Sequence, residues 1–159
     1  MTVQVDVQNA CDDDTAPEIP VVESWIVRAI GASGPDGDSE VSVRIVDAAE
    51  IHALNSDYRG KDRPTNVLSF PAGDVAGLPA DMPVPLGDVV ICASVVREEA
   101  TAQGKALDDH WAHMLVHGTL HLLGYDHETE SEAAEMEALE TRILSEQGVS
   151  DPYGAAGQT

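Results

Sequence analysis

Basic residues are scarce in this chain. Of its 159 residues, eight are Lys or Arg and 29 are Asp or Glu, a formal net charge of −21 at pH 7. A generic nucleic-acid binder carries a basic footprint, so this balance argues against a surface that holds polyanions non-specifically. Cysteine is nearly absent. Cys11 and Cys92 cannot make a disulfide scaffold, and the pattern is that of reduced thiols in a cytosolic protein. Long apolar runs are missing as well: no stretch approaches the ~18 residues that span a bilayer. The opening Met1-Thr2-Val3-Gln4-Val5-Asp6-Val7 alternates and carries early acid, unlike a signal peptide. These absences together predict a cytoplasmic protein with no membrane partner. No internal repeat is visible.

What is present is an ordinary globular composition, 43% hydrophobic and 23% charged, in a chain long enough for about one domain. Val3, Val5 and Val7 alternate as in a half-buried strand, and Val41–Val46 repeats that pattern. Apolar residues recur at helical spacing from Glu18 to Ala32, before a glycine-rich loop. Asp47 is a candidate N-cap for a helix through Tyr58. A polar turn, Arg59 to Thr65, precedes a short strand over Asn66–Phe70 that Pro71 closes. Residues 71–87, rich in proline and glycine, predict a long loop, either a substrate-side flap or a simple connection. Asp88–Cys92 has strand length, and helices follow over Ser94–Gln103, Leu107–Leu123 and Ser131–Glu146, the last with an apolar stripe of Met136, Leu139, Ile143 and Leu144. The order β-α-β-α-β-β-α-α-α predicts one α+β (α/β-like) domain over residues 1–147, a small mixed four-stranded sheet covered by about five helices. Residues 148–159 predict a flexible tail.

The chemistry concentrates in His117-Gly118-Thr119-Leu120-His121-Leu122-Leu123-Gly124-Tyr125-Asp126-His127. His117 and His121, four apart on a helix, share one face with Cβ atoms about 5–6 Å apart, close enough for one metal ion to bridge them. Gly124 can take the positive φ that ends a helix sharply and turns His127 back toward the same ion. Three neutral imidazoles plus one water make an open, catalytic-type zinc site, although three imidazoles also suit nickel or copper. The spacing H-x3-H-x2-G-x2-H equals that of the metzincin proteases, but their general base, a Glu directly after the first His, is here Gly118. His113 reads first as a buried, hydrogen-bonded core histidine; a fourth ligand, or a group that steadies one, is the alternative. His110 and His52 lack partner spacing and read as surface residues. Asp126 can bond within the turn, orient an imidazole or act as a general base.

The segment H-G-T-L-H-L-L-G-Y-D-H resembles the signature of the YbeY family, bacterial rRNA maturation factors described as metal-dependent endoribonucleases. The likeness extends further. Leu54-Asn55-Ser56-Asp57-Tyr58-Arg59-Gly60-Lys61-Asp62-Arg63-Pro64-Thr65-Asn66-Val67-Leu68-Ser69-Phe70-Pro71 is similar to the family's block L-N-x2-Y-R-x-K-D-x-P-T-[DN]-V-L-S-F-P. Gly87-Asp88-Val89-Val90-Ile91-Cys92 resembles its G-D-I-x-I-[CS] strand. The acidic stretch Cys11–Glu18, the 71–87 segment and the tail are not matched. The resemblance implies that His117, His121 and His127 hold one zinc ion and that Arg59 is a functional arginine beside the metal cleft. It implies a single-strand-specific endoribonuclease acting in 16S rRNA 3′-end maturation and ribosome quality control. The implied partners are ribosomal RNA and the ribosome or small-subunit assembly proteins.

That chemistry is physically coherent. Arg59, with Lys61 or Arg63, can offer a charged fork to a phosphate, so the few bases are pooled where an anion needs them. Arg63 taken by itself reads as an ordinary exposed loop arginine. Two other functions stay open at this point: another zinc hydrolase, or a non-catalytic ribosome-assembly factor with a structural metal.

Overall fold

Alternating valines build the sheet. The structure, a computed structural model, describes residues 2–35, 37–73, 82–126, 128–149 and 152. Its elements are β1 (Val3–Asn9), α1 (Ile19–Ser33), β2 (Ser39–Val46), α2 (Ala48–Arg59), β3 (Val67–Pro71), β4 (Val84–Cys92), α3 (Ala93–Gln103), α4 (Leu107–Leu122) and α5 (Glu130–Ser145). The strands form one four-stranded mixed sheet in the order β1-β2-β4-β3. β1 and β4 run parallel to β2, and β3 runs antiparallel to β4 as the edge strand. The fold is α+β, as the sequence predicts.

The period of two decides which helix covers which face. Val3, Val5 and Val7 of β1, Val41, Val43 and Ile45 of β2, and Val89 and Ile91 of β4 point to one face, where they meet α1 and α4 through Ile26, Ile30, Trp111 and Leu115. The opposite face presents Val46, Leu68 and Val90 to Ile51 and Leu54 of α2. α5 lies outside α1 and α4, with Met136, Ile143 and Leu144 against Ala29, Val116 and Leu120. α4 is therefore covered on both sides, by the sheet and by α5. From His110 to Leu122 every residue of α4 is buried except His117 and His121.

Local signals set the ends. The Asp47 side chain accepts from the Glu50 amide at 2.9 Å and caps α2, as expected. Thr129 caps α5 through the Glu132 amide at 3.1 Å. The expected loop over 71–87 needs correction at both ends, because Pro71 belongs to β3 and Val84–Gly87 to β4. Pro85 is tolerated there because its register partner is Glu40 of β2, whereas β3 stops at the Pro71–Gly87 pair, so no ladder on the other side needs its N–H. Residues 74–81 of that segment lie outside the described residues. In the expected tail, Val149 packs against the α5 cluster and its amide bonds Leu144 O at 3.0 Å; residues 150–151 and 153–159 lie outside the described residues. Among the described residues, no helix is long and apolar enough to cross a membrane.

Candidate metal centre and cleft

α4 carries His113, His117 and His121 at intervals of four, so their rings follow one another along one side of the helix, with centroids 6.0 Å and then 4.6 Å apart. His113 is buried, while His117 and His121 are half-buried where the helix reaches a cleft. There the two Nε2 atoms stand 3.1 Å apart. Two nitrogens on one tetrahedral zinc at about 2.0–2.1 Å would stand roughly 3.3 Å from one another. The pair thus fits two ligands of one ion. Gly124 has a φ of +100° and directs the chain out of α4 toward Asp126. His127, the third expected ligand, lies outside the described residues.

A second wall of the cleft is basic. The cleft, about 600 Å³, is lined by His117 and His121 of α4 and by Arg59, Lys61 and Arg63 from the end of α2 and the loop after it. All three bases are exposed. Their loop is held from below by Asn55, a buried residue whose side-chain amide donates to Arg63 O at 2.8 Å and whose backbone carbonyl accepts from Lys61 N at 3.2 Å. Asp126 is exposed at the cleft rim beside Tyr125, whose hydroxyl lies 2.5 Å from Ser33 Oγ. Of the expected site residues, the structure therefore brings together His117, His121, Arg59, Lys61 and Asp126. Arg63, expected as an ordinary exposed loop arginine, also lines the cleft.

Two contacts fix the distance between the walls. Ser69 Oγ of β3 donates to the Gly118 carbonyl of α4 at 2.8 Å. Gly118 itself faces the sheet. A β-carbon on it would stand 2.8 Å from Val89 Cγ1 and 3.1 Å from Val67 Cγ2. The position that carries the peptidase Glu in metzincins is here packed against two strands, with no space for a side chain.

Glu140 is the residue that motif reading misses. It belongs to the acidic terminal helix, yet it is fully buried. One oxygen lies 2.6 Å from His113 Nε2 and the other 3.0 Å from His117 Nδ1. Burial alone would raise its carboxyl, but the hydrogen bonds to His113 and His117 outweigh that and hold it down at about 2. Burial pushes the His113 imidazole below its ordinary range more than Glu140 lifts it. A signal was available: Glu140 falls four residues after Met136 and three before Ile143, on the apolar stripe rather than the wet face. His113, His117 and Glu140 bring three candidate ligand atoms within 4.8 Å of one another, a group that could hold a metal ion.

His110 corrects a second expectation. It is buried, not at the surface, with Nε2 2.9 Å from Glu99. Glu99 in turn accepts from Asn66 at 3.1 Å at the start of β3. The hydrogen bond from His110, ahead of the one from Asn66, holds the Glu99 carboxyl below its usual range despite partial burial. Lack of partner spacing along the sequence says nothing about a partner on another helix.

Comparison with known proteins identifies relatives of the chain. A family model described as "Endoribonuclease YbeY" matches residues 7–148. A protein of Halorhodospira halophila described as "Endoribonuclease YbeY" is 58% identical over 139 residues, covering 87% of this chain and 89% of its own. The solution structure of TM1509 from Thermotoga maritima superposes with a TM-score of 0.56 at 25% identity, covering 95% of this chain and 99% of that one.

Proposed function

The chain belongs to the YbeY endoribonuclease family, and from that membership and the cleft we propose that it cleaves single-stranded RNA in 16S rRNA 3′-end maturation, using one zinc ion held by His117, His121 and His127. The observation that carries the reading is the pairing of walls: two imidazole Nε2 atoms 3.1 Å apart face the only cluster of bases in an otherwise acidic sequence.

A divalent ion at these imidazoles supplies positive charge that polarises a phosphoryl oxygen and acidifies a water. The remaining work falls to side chains. Arg59 places a planar fork on the phosphate, and Lys61 adds a point charge beside it. Asp126, at the rim, accepts a proton from the attacking group or orients an imidazole. Product ends distinguish the attacking group: a 2′,3′-cyclic phosphate identifies the 2′-hydroxyl, a 5′-phosphate identifies water. The chain as a whole, at a net −21, repels free RNA. The ribosome or small-subunit assembly proteins therefore supply the affinity that the enzyme lacks, in the cytoplasm and with a role in ribosome quality control.

A peptidase with the same metal spacing is disfavoured by Gly118, where the sheet occupies the place of the base. A non-catalytic assembly factor with a structural metal would need a closed ligand set. His113, the nearest extra imidazole, turns its Nε2 to Glu140 instead. The test is metal content and RNA cleavage on one preparation of wild type, His121→Ala and Arg59→Glu. Loss of both in His121→Ala, with zinc kept and cleavage lost in Arg59→Glu, supports the proposal. Cleavage that persists in both variants overturns it.

A further inference from the structure

Glu140 is the one fully buried acid among the described residues. An apolar side chain would complete the stripe of Met136, Ile143 and Leu144 without the unfavourable burial of a charge. What Glu140 does have is two imidazoles, one at each oxygen, at 2.6 and 3.0 Å. Those are hydrogen-bond lengths. Atoms sharing one zinc would stand roughly 3.3 Å apart, so the shorter contact does not suit coordination of a common ion.

Donor and acceptor roles then follow from chemistry. A carboxylate only accepts, so His113 must donate through Nε2–H and His117 through Nδ1–H. A neutral imidazole carries one proton. With that proton on Nδ1, His117 has its lone pair on Nε2, the atom that faces His121 Nε2 at 3.1 Å. The carboxylate contact favours that tautomer over the other, in which Nε2–H cannot ligate.

We infer that Glu140 is a positioning residue: held at one oxygen by His113, it fixes His117 in the Nδ1–H tautomer and so presents Nε2 to the metal. The inference rests on the metal reading proposed above. It deepens that reading by naming a residue from α5, outside the histidine motif, as part of the site. Carboxylate–imidazole–metal arrangements of this kind raise ligand basicity and restrict ring rotation.

The direct test is long-range 1H–15N NMR on metal-free wild-type protein at a pH where His117 is neutral. The expected spectrum shows His117 protonated at Nδ1; protonation at Nε2 overturns the inference. The second measurement is Zn2+ affinity by chelator competition for wild type, Glu140→Gln and His121→Ala. Glutamine is isosteric, but its single carbonyl oxygen can accept from only one imidazole. The expected loss in Glu140→Gln is about 10–100-fold, with cooperative unfolding retained. If His121→Ala loses zinc while Glu140→Gln keeps wild-type affinity, the inference falls and the metal reading stands. If His121→Ala keeps zinc, both fall. Should Glu140→Gln fail to fold, the wild-type tautomer alone decides.

Discussion

Gly118 lies so close to Val89 that a β-carbon added to it would stand 2.8 Å from Val89 Cγ1. This approach seats the histidine-bearing helix on the sheet. It also sets how far the imidazoles stand from the basic wall, because the next contact along, Ser69 Oγ to Gly118 O, joins the same helix to the cleft's edge strand. Gly118→Ala is expected to destabilise the protein by about 1–3 kcal/mol through overpacking, less up to about 1 kcal/mol recovered from alanine's better helix propensity. Urea unfolding measures the balance, and a neutral or stabilising result contradicts the close packing. Gly118→Glu is expected to disrupt α4 docking rather than create a peptidase.

Arg59 is exposed and takes no part in the core. Arg59→Glu should therefore melt like wild type and keep its metal. Removing one charge-assisted hydrogen bond to phosphate should lower RNA cleavage about 10–100-fold. Binding assays across salt concentrations should also show a shallower salt slope, by roughly 0.7 for each single-strand phosphate that the variant no longer neutralises. An unchanged slope would remove Arg59 from the substrate path.

Asn55 predicts a different signature. Its side chain is buried beneath the basic loop and holds Arg63 O. Asn55→Ala should cost about 0.5–1.5 kcal/mol by removing that hydrogen bond. It should also speed hydrogen exchange at the Lys61 and Arg63 amides and raise KM for RNA. A stability loss with KM unchanged would mean that the loop holds its shape by other contacts.

The pH dependence of the metal-free protein has a definite sign. Glu140 is held down at about 2 against 4.5 for the free group, so the folded state stays ionised where the unfolded state takes a proton. Its contribution, about 3 kcal/mol, is fully present above pH 4.5 and is lost as pH falls toward 2. His113 is held below 6.5 by burial, so the unfolded chain also binds that proton first. Stability should thus begin to fall below pH 6.5 and fall further below 4.5. Urea midpoints at pH 8, 5.5 and 3.5 follow both stages, and Glu140→Gln should shrink the lower one, leaving the smaller share that Glu99 contributes. A midpoint constant from pH 8 to 3.5 would contradict the network.

Metal removal completes the set. An ion that binds only the folded state stabilises by RT ln(1 + [L]/Kd), about 2.7 kcal/mol at a hundredfold excess over Kd. Zinc should raise the Tm of the wild type and leave that of His121→Ala where it was. An equal rise in both proteins would place the ion elsewhere.

The element order is legible in the sequence because short alternating strands and amphipathic helices announce themselves one by one. Asp47 and the glycines mark their ends. The misreadings have physical causes. Val84–Gly87 carries a proline and a glycine that normally exclude a strand, but at Pro85 β4 has a register partner only in β2. His110 looks isolated because its partner, Glu99, sits on the neighbouring helix. Glu140 is hidden among the many acids of α5, although its place between Met136 and Ile143 sets it on the inward stripe. Motif reading pointed to His117, His121, Arg59, Lys61 and Asp126, which line the cleft. The residues behind them, Asn55 and Glu140, are defined by contacts between elements, which spacing along one element cannot report.

α4 is enclosed by the sheet on one side and by α5 on the other, and its only half-buried positions between His110 and Leu122 are His117 and His121. The cleft imidazoles are thus anchored in a helix packed on two sides. Partial loosening cannot blur the ligand geometry while the rest of the molecule stays intact, because the helix that would have to shift also packs on α1, the sheet and α5. Ligand geometry then lasts only as long as the fold does, so heating the loaded protein should release the ion in the same step that unfolds the chain.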